Sequence, residues 1–329
     1  MARVPRRDML IGSCAVLGTV PLGACGQRKS GDDSSTPPAL ASSAGVLTMG
    51  NDLTVNRLGF GTGRLGQWQR GAGFFRRGRF QEPADARRLL RRVVELGVQF
   101  IDTADTYGRE YAVEPLIYQA LHPYPSDLVI ATKGGGLVRS GGEFDKDASP
   151  AHLRAACEAS LARLHLERID LYQLHWVDPK VPLEESVGEL ARLRTEGKIR
   201  HIGLSNVSLA ELQRAQAVAP LVSVQNPYSV IDRASDEVLS FCERAGLAFV
   251  AYGPLGFGGV PKDATPAAAR LAELARRRGM SMQQAMLAWL LARSRQVLPI
   301  PGTTSVEHLD QDIAAAGVVL TAAEMTTIG

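Results

Sequence analysis

From Val46 onward the chain alternates short apolar runs with longer amphipathic ones, and that alternation restricts the fold more than any other feature. Eight runs read as strands: Leu58–Gly61, Gln99–Asp102, Leu128–Lys133, Ile169–His175, Ile199–Ser205, Ser223–Gln225, Ala248–Tyr252 and Val297–Ile300. Helical patterns follow. One opens at Pro83-Ala84-Asp85, repeats Leu89, Leu90, Val93 and Val94 at helical spacing and stops at Gly97; a second is capped by Ser149-Pro150 and runs to Leu164. Others fit Pro182–Glu196, Leu209–Val218, Ser235–Ala245, Pro266–Arg278, Met282–Ala292 and Val306–Ala316. Before them, Val46-Leu47-Thr48-Met49 and Leu53-Thr54-Val55 flank Gly50-Asn51-Asp52, the chemistry of a hairpin turn. Eight β-then-α units predict an α/β fold, a (β/α)8 TIM barrel with a short N-terminal hairpin. The alternative, an open doubly wound sheet, is disfavoured by the count and by the first βα turn: Gly59-Phe60-Gly61-Thr62-Gly63 is not a GxGxxG opening a helix.

Composition sets outer limits. An apolar fraction of 45% excludes wholesale disorder, and a net charge of +3 is too small for a dedicated nucleic-acid binder. Most of that charge is local, since Arg3, Arg6 and Arg7 against Asp8 leave +2 in residues 1–25. No apolar run reaches the roughly 20 residues of a spanning helix.

Residues 1–45 differ from the rest. Arg6-Arg7 before the apolar stretch Met9–Leu22 resembles a twin-arginine export signal, and Leu22-Gly23-Ala24-Cys25 resembles a bacterial lipobox with Cys25 as the lipidated residue. Residues 26–45, rich in Ser, Pro, Gly and Asp, read as a flexible tether ahead of a barrel at 46–329. These features imply export and membrane anchoring, in the periplasm or on the outer face of the cytoplasmic membrane; the alternative is a cytoplasmic protein with a disordered leader. Cys157 and Cys242 are the two cysteines left for the barrel, on helices about three units apart, and no disulfide between them is expected.

A barrel of this kind carries its chemistry at the C-terminal ends of the strands. There the sequence places Asp102 and Tyr107 after the second strand, Lys133 at the end of the third and His175 at the end of the fourth. Each alone reads as packing or a solvated surface group; together they form a proton-donating set. A free Tyr has a pKa near 10, and a neighbouring ammonium lowers it. Asp102 would hold Lys133, and His175 would hydrogen-bond the same substrate oxygen, which suits protonation of an alkoxide forming on a carbonyl. No metal-ligand spacing, activated nucleophile or phosphate loop is present in the sequence. The hydride must therefore come from a nicotinamide cofactor.

These residues and a series of motifs in order resemble the aldo-keto reductase family from about Val46 to Gly329. The motifs include Gly59–Gly63, Asp102–Gly108, Ala131-Thr132-Lys133-Gly134, Ile169–His175, Gly197–Asn206, Val224–Ser229, Tyr252–Gly256 and Pro299–Thr303. The resemblance implies Asp102, Tyr107, Lys133 and His175 as the catalytic tetrad, with Tyr107 the general acid. It implies that Ser205, Asn206 and Gln225 hold the nicotinamide carboxamide and that Tyr252 stacks on the ring. Gly253, Pro254, Leu255 and Gly256 would line the pyrophosphate; Gly61, Thr62, Gly63 and Ile300 would border the cofactor. Gly302, Thr303, Thr304, His308, Gln311 and Asp312 would hold the adenosine end. Some members carry Lys and Arg where this chain has Gly302 and His308, and many have Glu-Asn where it has Gln311-Asp312. The hydroxyls of Thr303, Thr304 and Ser305 still suit a 2′-phosphate, so NADP(H) is expected, with NAD(H) the alternative.

The pocket is expected to involve Trp68, Tyr107, His175 and Trp176. Residues 63–83 form a long first βα loop, a substrate cover or a basic surface loop, with Trp68, Phe74, Phe75 and Phe80 among Arg70, Arg76, Arg77 and Arg79. The chain stops soon after its last helix pattern, which implies an open site and broad carbonyl scope. Two functions follow: an NADP-dependent reductase of aldehydes or ketones, or a non-catalytic nicotinamide-binding sensor or partner subunit on the same fold. The leader makes its own prediction. Labelling cells with a radioactive fatty acid should mark the membrane-bound wild type and not Cys25→Ala; a soluble, unlabelled wild type would contradict the anchor.

Overall fold

Why eight short strands should close into a ring is visible where the first meets the last. The computed structural model describes residues 40–65, 82–108, 112–138, 144–257 and 265–329, all within one compact unit, Pro38–Gly329. Its central sheet is built from β3 (Phe60–Gly61), β4 (Phe100–Asp102), β5 (Val129–Gly134), β8 (Ile169–Leu174), β9 (Ile199–Ser205), β10 (Ser223–Pro227), β11 (Ala248–Tyr252) and β12 (Val297–Pro299), hydrogen-bonded in that order. All neighbours are parallel, in registers such as Ile101↔Ile130 and Gln173↔Gly203. Closure rests on two backbone bonds: Gly59 N–H donates to Pro299 O and Gly61 N–H to Pro301 O, each at 3.0 Å. A Cβ on Gly302 would lie 2.4 Å from Gly61 O, so the two chain segments meet only because both are glycine there. The observed architecture is the expected (β/α)8 barrel.

The hairpin β1 (Val46–Met49) and β2 (Leu53–Asn56) is antiparallel, as its turn chemistry predicted. Its side chains Leu47, Met49, Leu53 and Val55 are buried against Phe100, Val129, Leu171 and Leu298 inside the barrel. Phe100 and Val129 begin their strands, so the hairpin plugs the N-terminal end of the ring. Asp52 in its turn is held by Arg200 at 2.8 Å and His201 at 2.7 Å, both on β9. With that end sealed, the opposite rim is left for chemistry.

Around the sheet lie α1 (Pro83–Glu95), α2 (Val113–Leu121), α3 (Pro150–Leu164), α4 (Leu183–Thr195), α5 (Leu209–Gln216) and α6 (Asp236–Ala245), followed by α7 (Pro266–Arg278), α8 (Met282–Arg293), α9 (Val306–Ala314) and α10 (Ala322–Ile328). Their ends follow the expected signals. Ser149 accepts from the His152 N–H at 3.3 Å, with Pro150 in the first turn. Two helices had no sequence expectation. The nine residues of α2 bury Val113, Glu114, Leu116, Ile117, Ala120 and Leu121, leaving too little polar face for a clear amphipathic period; α10 is only seven residues long. A second hairpin, β6 (Gly136–Val138) with β7 (Phe144–Lys146), was also unforeseen. Leu40–Ala44, within the stretch expected to be a tether, forms a 3-10 helix that buries Ala41 and Ala44 in the core; residues 26–39 lie outside the described residues. Cys157 on α3 and Cys242 on α6 are buried free thiols, and burial pushes both up to about 12. No helix among the described residues is long and apolar enough to cross a membrane.

Candidate active site

The strand ends bring the four sequence-singled residues onto one rim. Asp102 closes β4, Lys133 lies near the end of β5, His175 follows β8, and Tyr107 sits on the loop after β4. Parallel register accounts for the meeting, since Asp102 pairs with Ala131 and Lys133 with Gln173. Lys133 is 0% exposed, Asp102 2% and His175 3%, so their mutual interactions are little screened by water.

Lys133 Nζ donates to Asp102 Oδ2 at 2.7 Å, to Thr103 O at 2.8 Å and to Tyr107 Oη at 3.5 Å. All three ammonium hydrogens therefore have acceptors, and one of these is the phenol. The other carboxylate oxygen of Asp102 accepts from Gln225 Nε2 at 2.7 Å and Gln173 Nε2 at 3.3 Å. Burial pushes Lys133 down, but Asp102 and Tyr107 outweigh it and hold the ammonium above its usual range. Burial pushes His175 well below its usual range and Lys133 adds to the effect, so the imidazole is neutral at pH 7. His175 Nδ1 is buried with no hydrogen-bond partner among the described residues.

Tyr107 differs from expectation. Burial raises its hydroxyl above the phenol range; Lys133 pulls it down, while Asp102 and Asp105 push it up again. The expected net lowering does not occur, because burial of the phenol outweighs the pull of Lys133, and the Asp102 and Asp105 carboxylates add to it. The phenol consequently keeps its proton at neutral pH and has one to give. Its ring lies edge-on to His175, with centroids 6.0 Å apart.

A wall of aromatic rings flanks these groups. Trp176 stacks on His175 with centroids 3.4 Å apart, and Phe144 of β7 meets Trp176 at 4.5 Å. Phe144 was not singled out in the sequence, because no reading of residues 136–146 foresaw the hairpin that carries it. Gln173 was missed too, although its place two residues before His175 on a strand puts both on one face. Trp68 lies outside the described residues, as do Arg70, Phe74, Phe75, Arg76, Arg77, Arg79 and Phe80.

The residues expected to hold a cofactor ring the same rim. Ser205 ends β9, Gln225 lies in β10 and Tyr252 ends β11. Asn206 adopts a left-handed φ of 58°; its amide donates to His175 O at 3.0 Å and accepts from Tyr252 Oη at 2.6 Å. Gly253 and Gly256, at φ 61° and 74°, turn the loop after β11 together with Pro254 and Leu255. A Cβ on Gly253 would meet the Phe257 ring at 2.8 Å. Thr62 donates to Asp102 O at 2.9 Å, tying the first strand's end to the second's. Gly61 and Gly63 flank it, and a Cβ on Gly63 would reach the Tyr107 ring at 3.5 Å. Ile300 lies beside Gly61 after β12.

The chain then passes through Gly302, Thr303 and Thr304 to α9, whose first turn Ser305 caps through the His308 N–H. Gln311 is exposed on α9, whereas Asp312 is buried. Burial pushes the Asp312 carboxyl up to about 7, with Arg64 opposing, so it is partly protonated at neutral pH and resembles an amide more closely than a free aspartate does. Thr303 and Thr304 hydroxyls, the capped N-terminus of α9 and the nearby Arg64 are donors of the kind a phosphorylated nucleotide needs. The residues present thus fit a nicotinamide dinucleotide. No group of three or more His, Cys, Asp or Glu with metal-binding geometry occurs among the described residues.

Comparison with known proteins agrees with this geometry. A model of the aldo/keto reductase family matches residues 57–329. An uncharacterized oxidoreductase of Schizosaccharomyces pombe is 42% identical over 281 residues, covering 85% of this chain and 87% of its own. Pyridoxine 4-dehydrogenase of Escherichia coli is 35% identical over 292 residues, covering 87% and 98%. An aldo/keto reductase of Klebsiella pneumoniae, solved in complex with NADP and acetate, superposes with a TM-score of 0.71 at 29% identity, covering 86% of this chain and 93% of that one.

The buried imidazole yields a pH prediction. Its folded pKa is depressed, so the stability it contributes is present above the unfolded value of about 6.5 and is lost as pH falls below it. In NMR spectra the His175 ring signals, assigned by His175→Asn, should not titrate between pH 8 and 6; a midpoint near 6.5 would contradict a neutral, buried ring.

Proposed function

The chain belongs to the aldo/keto reductase family, and from that premise we propose that it reduces an aldehyde or ketone to an alcohol, using NADPH and Tyr107 as general acid. The observation that carries this reading is the three-way bonding of Lys133 Nζ to Asp102, Thr103 and Tyr107, with Lys133, Asp102 and Thr103 themselves buried. NADPH, when bound, supplies the hydride. Ser205, Asn206 and Gln225 would hold its carboxamide and Tyr252 its ring; Gly253–Gly256 and residues 302–312 would take the phosphates and adenosine. The NADP-bound Klebsiella pneumoniae relative supports that cofactor.

The protein's own part is to place and protonate the carbonyl oxygen. Tyr107 Oη would donate its proton to that oxygen, and neutral His175 can donate a second hydrogen bond to it. As negative charge grows on that oxygen, the phenol gives up its proton. The phenolate left behind is stabilised by Lys133, already 3.5 Å away and held by Asp102. No reorganisation of solvent is needed, because the ammonium is in place beforehand. In the reverse direction the phenolate takes the alcohol's proton. Trp176 and Phe144 would pack the substrate's apolar part. We further propose, on residues 1–25 alone, that the barrel is exported and anchored through lipid at Cys25.

The test that separates turnover from mere cofactor binding is Tyr107→Phe. Reduction of a simple aldehyde should drop by roughly 100- to 10,000-fold, the range of a lost general acid. NADPH binding, read by quenching of protein fluorescence, should persist. Unchanged turnover would contradict the assigned acid, and an inactive wild type that still binds NADPH would favour the sensor reading.

A further inference from the structure

Behind the Lys133–Tyr107 pair lies a second buried acid that the reaction above does not use. Asp105 is 3% exposed, and its Oδ1 has no hydrogen-bond partner among the described residues. Its backbone N–H donates to Lys133 O at 3.3 Å, which fixes it against β5. Two residues on along the same loop is Tyr107, whose own N–H donates to Ala104 O at 3.2 Å. The loop that carries the phenol is therefore pinned on both sides of Asp105.

The surroundings decide what such a group does. Glu114 of α2 is fully buried 18 residues before Thr132, whose hydroxyl donates to its Oε1 at 2.7 Å. Arg163 of α3, which pulls the Asp105 carboxyl down, donates to Glu114 Oε2 at 2.6 Å and so is already committed to a different carboxylate. The other charged or titratable groups acting on Asp105 among the described residues are Lys133 of β5, Tyr107 of its own loop and Tyr172 of β8. Lys133 spends its hydrogens on Asp102, Thr103 and Tyr107. Among the described residues Asp105 thus has no ion-pair partner; the Thr106 backbone N–H reaches its carboxyl, and its place two residues before Tyr107 puts it on the loop that carries the proton donor.

We propose that Asp105 is a positioning residue for the reductase reaction set out above: protonated, it leaves Tyr107 able to release its proton, and as a carboxylate it holds that proton back. The proton Asp105 loses on ionising passes to water, and no bond to carbon changes. Burial, with Glu114 adding to it, pushes the Asp105 carboxyl up to about 8, so the change falls inside the working range of an enzyme. The negative charge then acts on Tyr107 in the direction that keeps the phenol protonated. The effect is purely electrostatic, which is why an amide of the same shape separates it from a packing role.

The experiment compares wild type with Asp105→Asn as full-length protein. With saturating NADPH and a simple aldehyde, wild-type kcat should fall as pH rises through about 8, while the variant keeps its plateau and exceeds wild type by about tenfold at pH 9; KM should be alike in both. Infrared pH-difference spectra, which need no turnover, should show a protonated-carboxyl band in wild type that disappears near pH 8 and is missing from Asp105→Asn. The partly protonated Asp312 gives a separate step near pH 7 that both proteins keep. Glu114→Gln, which removes the neighbouring negative charge, should move the Asp105 step to lower pH.

Superimposable kcat profiles, or no carboxyl band assignable to Asp105, would overturn the proposal. A wild type that shows the band but reduces no carbonyl would instead count against the reductase reading. The coupling is then read from ultraviolet titration of Tyr107, which Asp105→Asn must shift to lower pH, and an unshifted titration overturns it.

Discussion

The Asp102–Lys133 ion pair is the constraint on which the rest of the structure turns. A charge pair removed from water is tolerable only when its geometry and remaining hydrogen bonds are satisfied, because desolvation costs several kcal/mol per ion. Here both sides are satisfied. Lys133 has Asp102, Thr103 and Tyr107 as acceptors, while Asp102 also receives Gln225 and Gln173. Removing one partner would strand the other at a cost of about 3–5 kcal/mol, so the pair fixes four strands relative to one another as well as supplying chemistry. Its polar demand explains why glutamines from β8 and β10 reach Asp102 at this layer.

The ring has to close tightly for those strand ends to coincide. Gly59, Gly61 and Gly302 let the first and last strands approach to backbone hydrogen-bond distance, and the β1–β2 hairpin seals the far end with Leu47, Met49, Leu53 and Val55. The same closure puts Thr62 against Asp102 O and brings Gly63 under the Tyr107 ring. The glycine-rich first βα turn is therefore a steric device for assembling the site. It does not need the helix-opening geometry of an open-sheet dinucleotide fold.

Much of this was legible in residue order. Period and punctuation located all eight barrel strands, because each is a short apolar run, five of them ending in Gly, Asp, Lys, His or Ser. The C-terminal-rim rule then placed Asp102, Lys133 and His175 together without any coordinates. What escaped had physical causes. Six of the nine residues of α2 are buried, the charged Glu114 among them, so its sequence carries little amphipathic contrast. The β6–β7 hairpin is short, and Phe144 acquires its role only by reaching Trp176. The sign of the Tyr107 shift could not be read from neighbours in sequence, since it depends on how deeply the phenol is buried and on how fully Asp102 offsets Lys133. Leu40–Ala44 looks like linker by composition, yet packs because two small residues, Ala41 and Ala44, fit the core.

The central claim is that Asp102 and Lys133 act as one unit in stabilising the Tyr107 phenolate. A double-mutant cycle on reductive kcat, with Asp102→Asn, Lys133→Met and the pair combined, measures that directly. If the two act together, each single change should remove most of the rate and the double variant should be hardly slower than Lys133→Met alone. Rate losses that simply multiply would mean that Asp102 and Lys133 contribute independently, and would contradict the account.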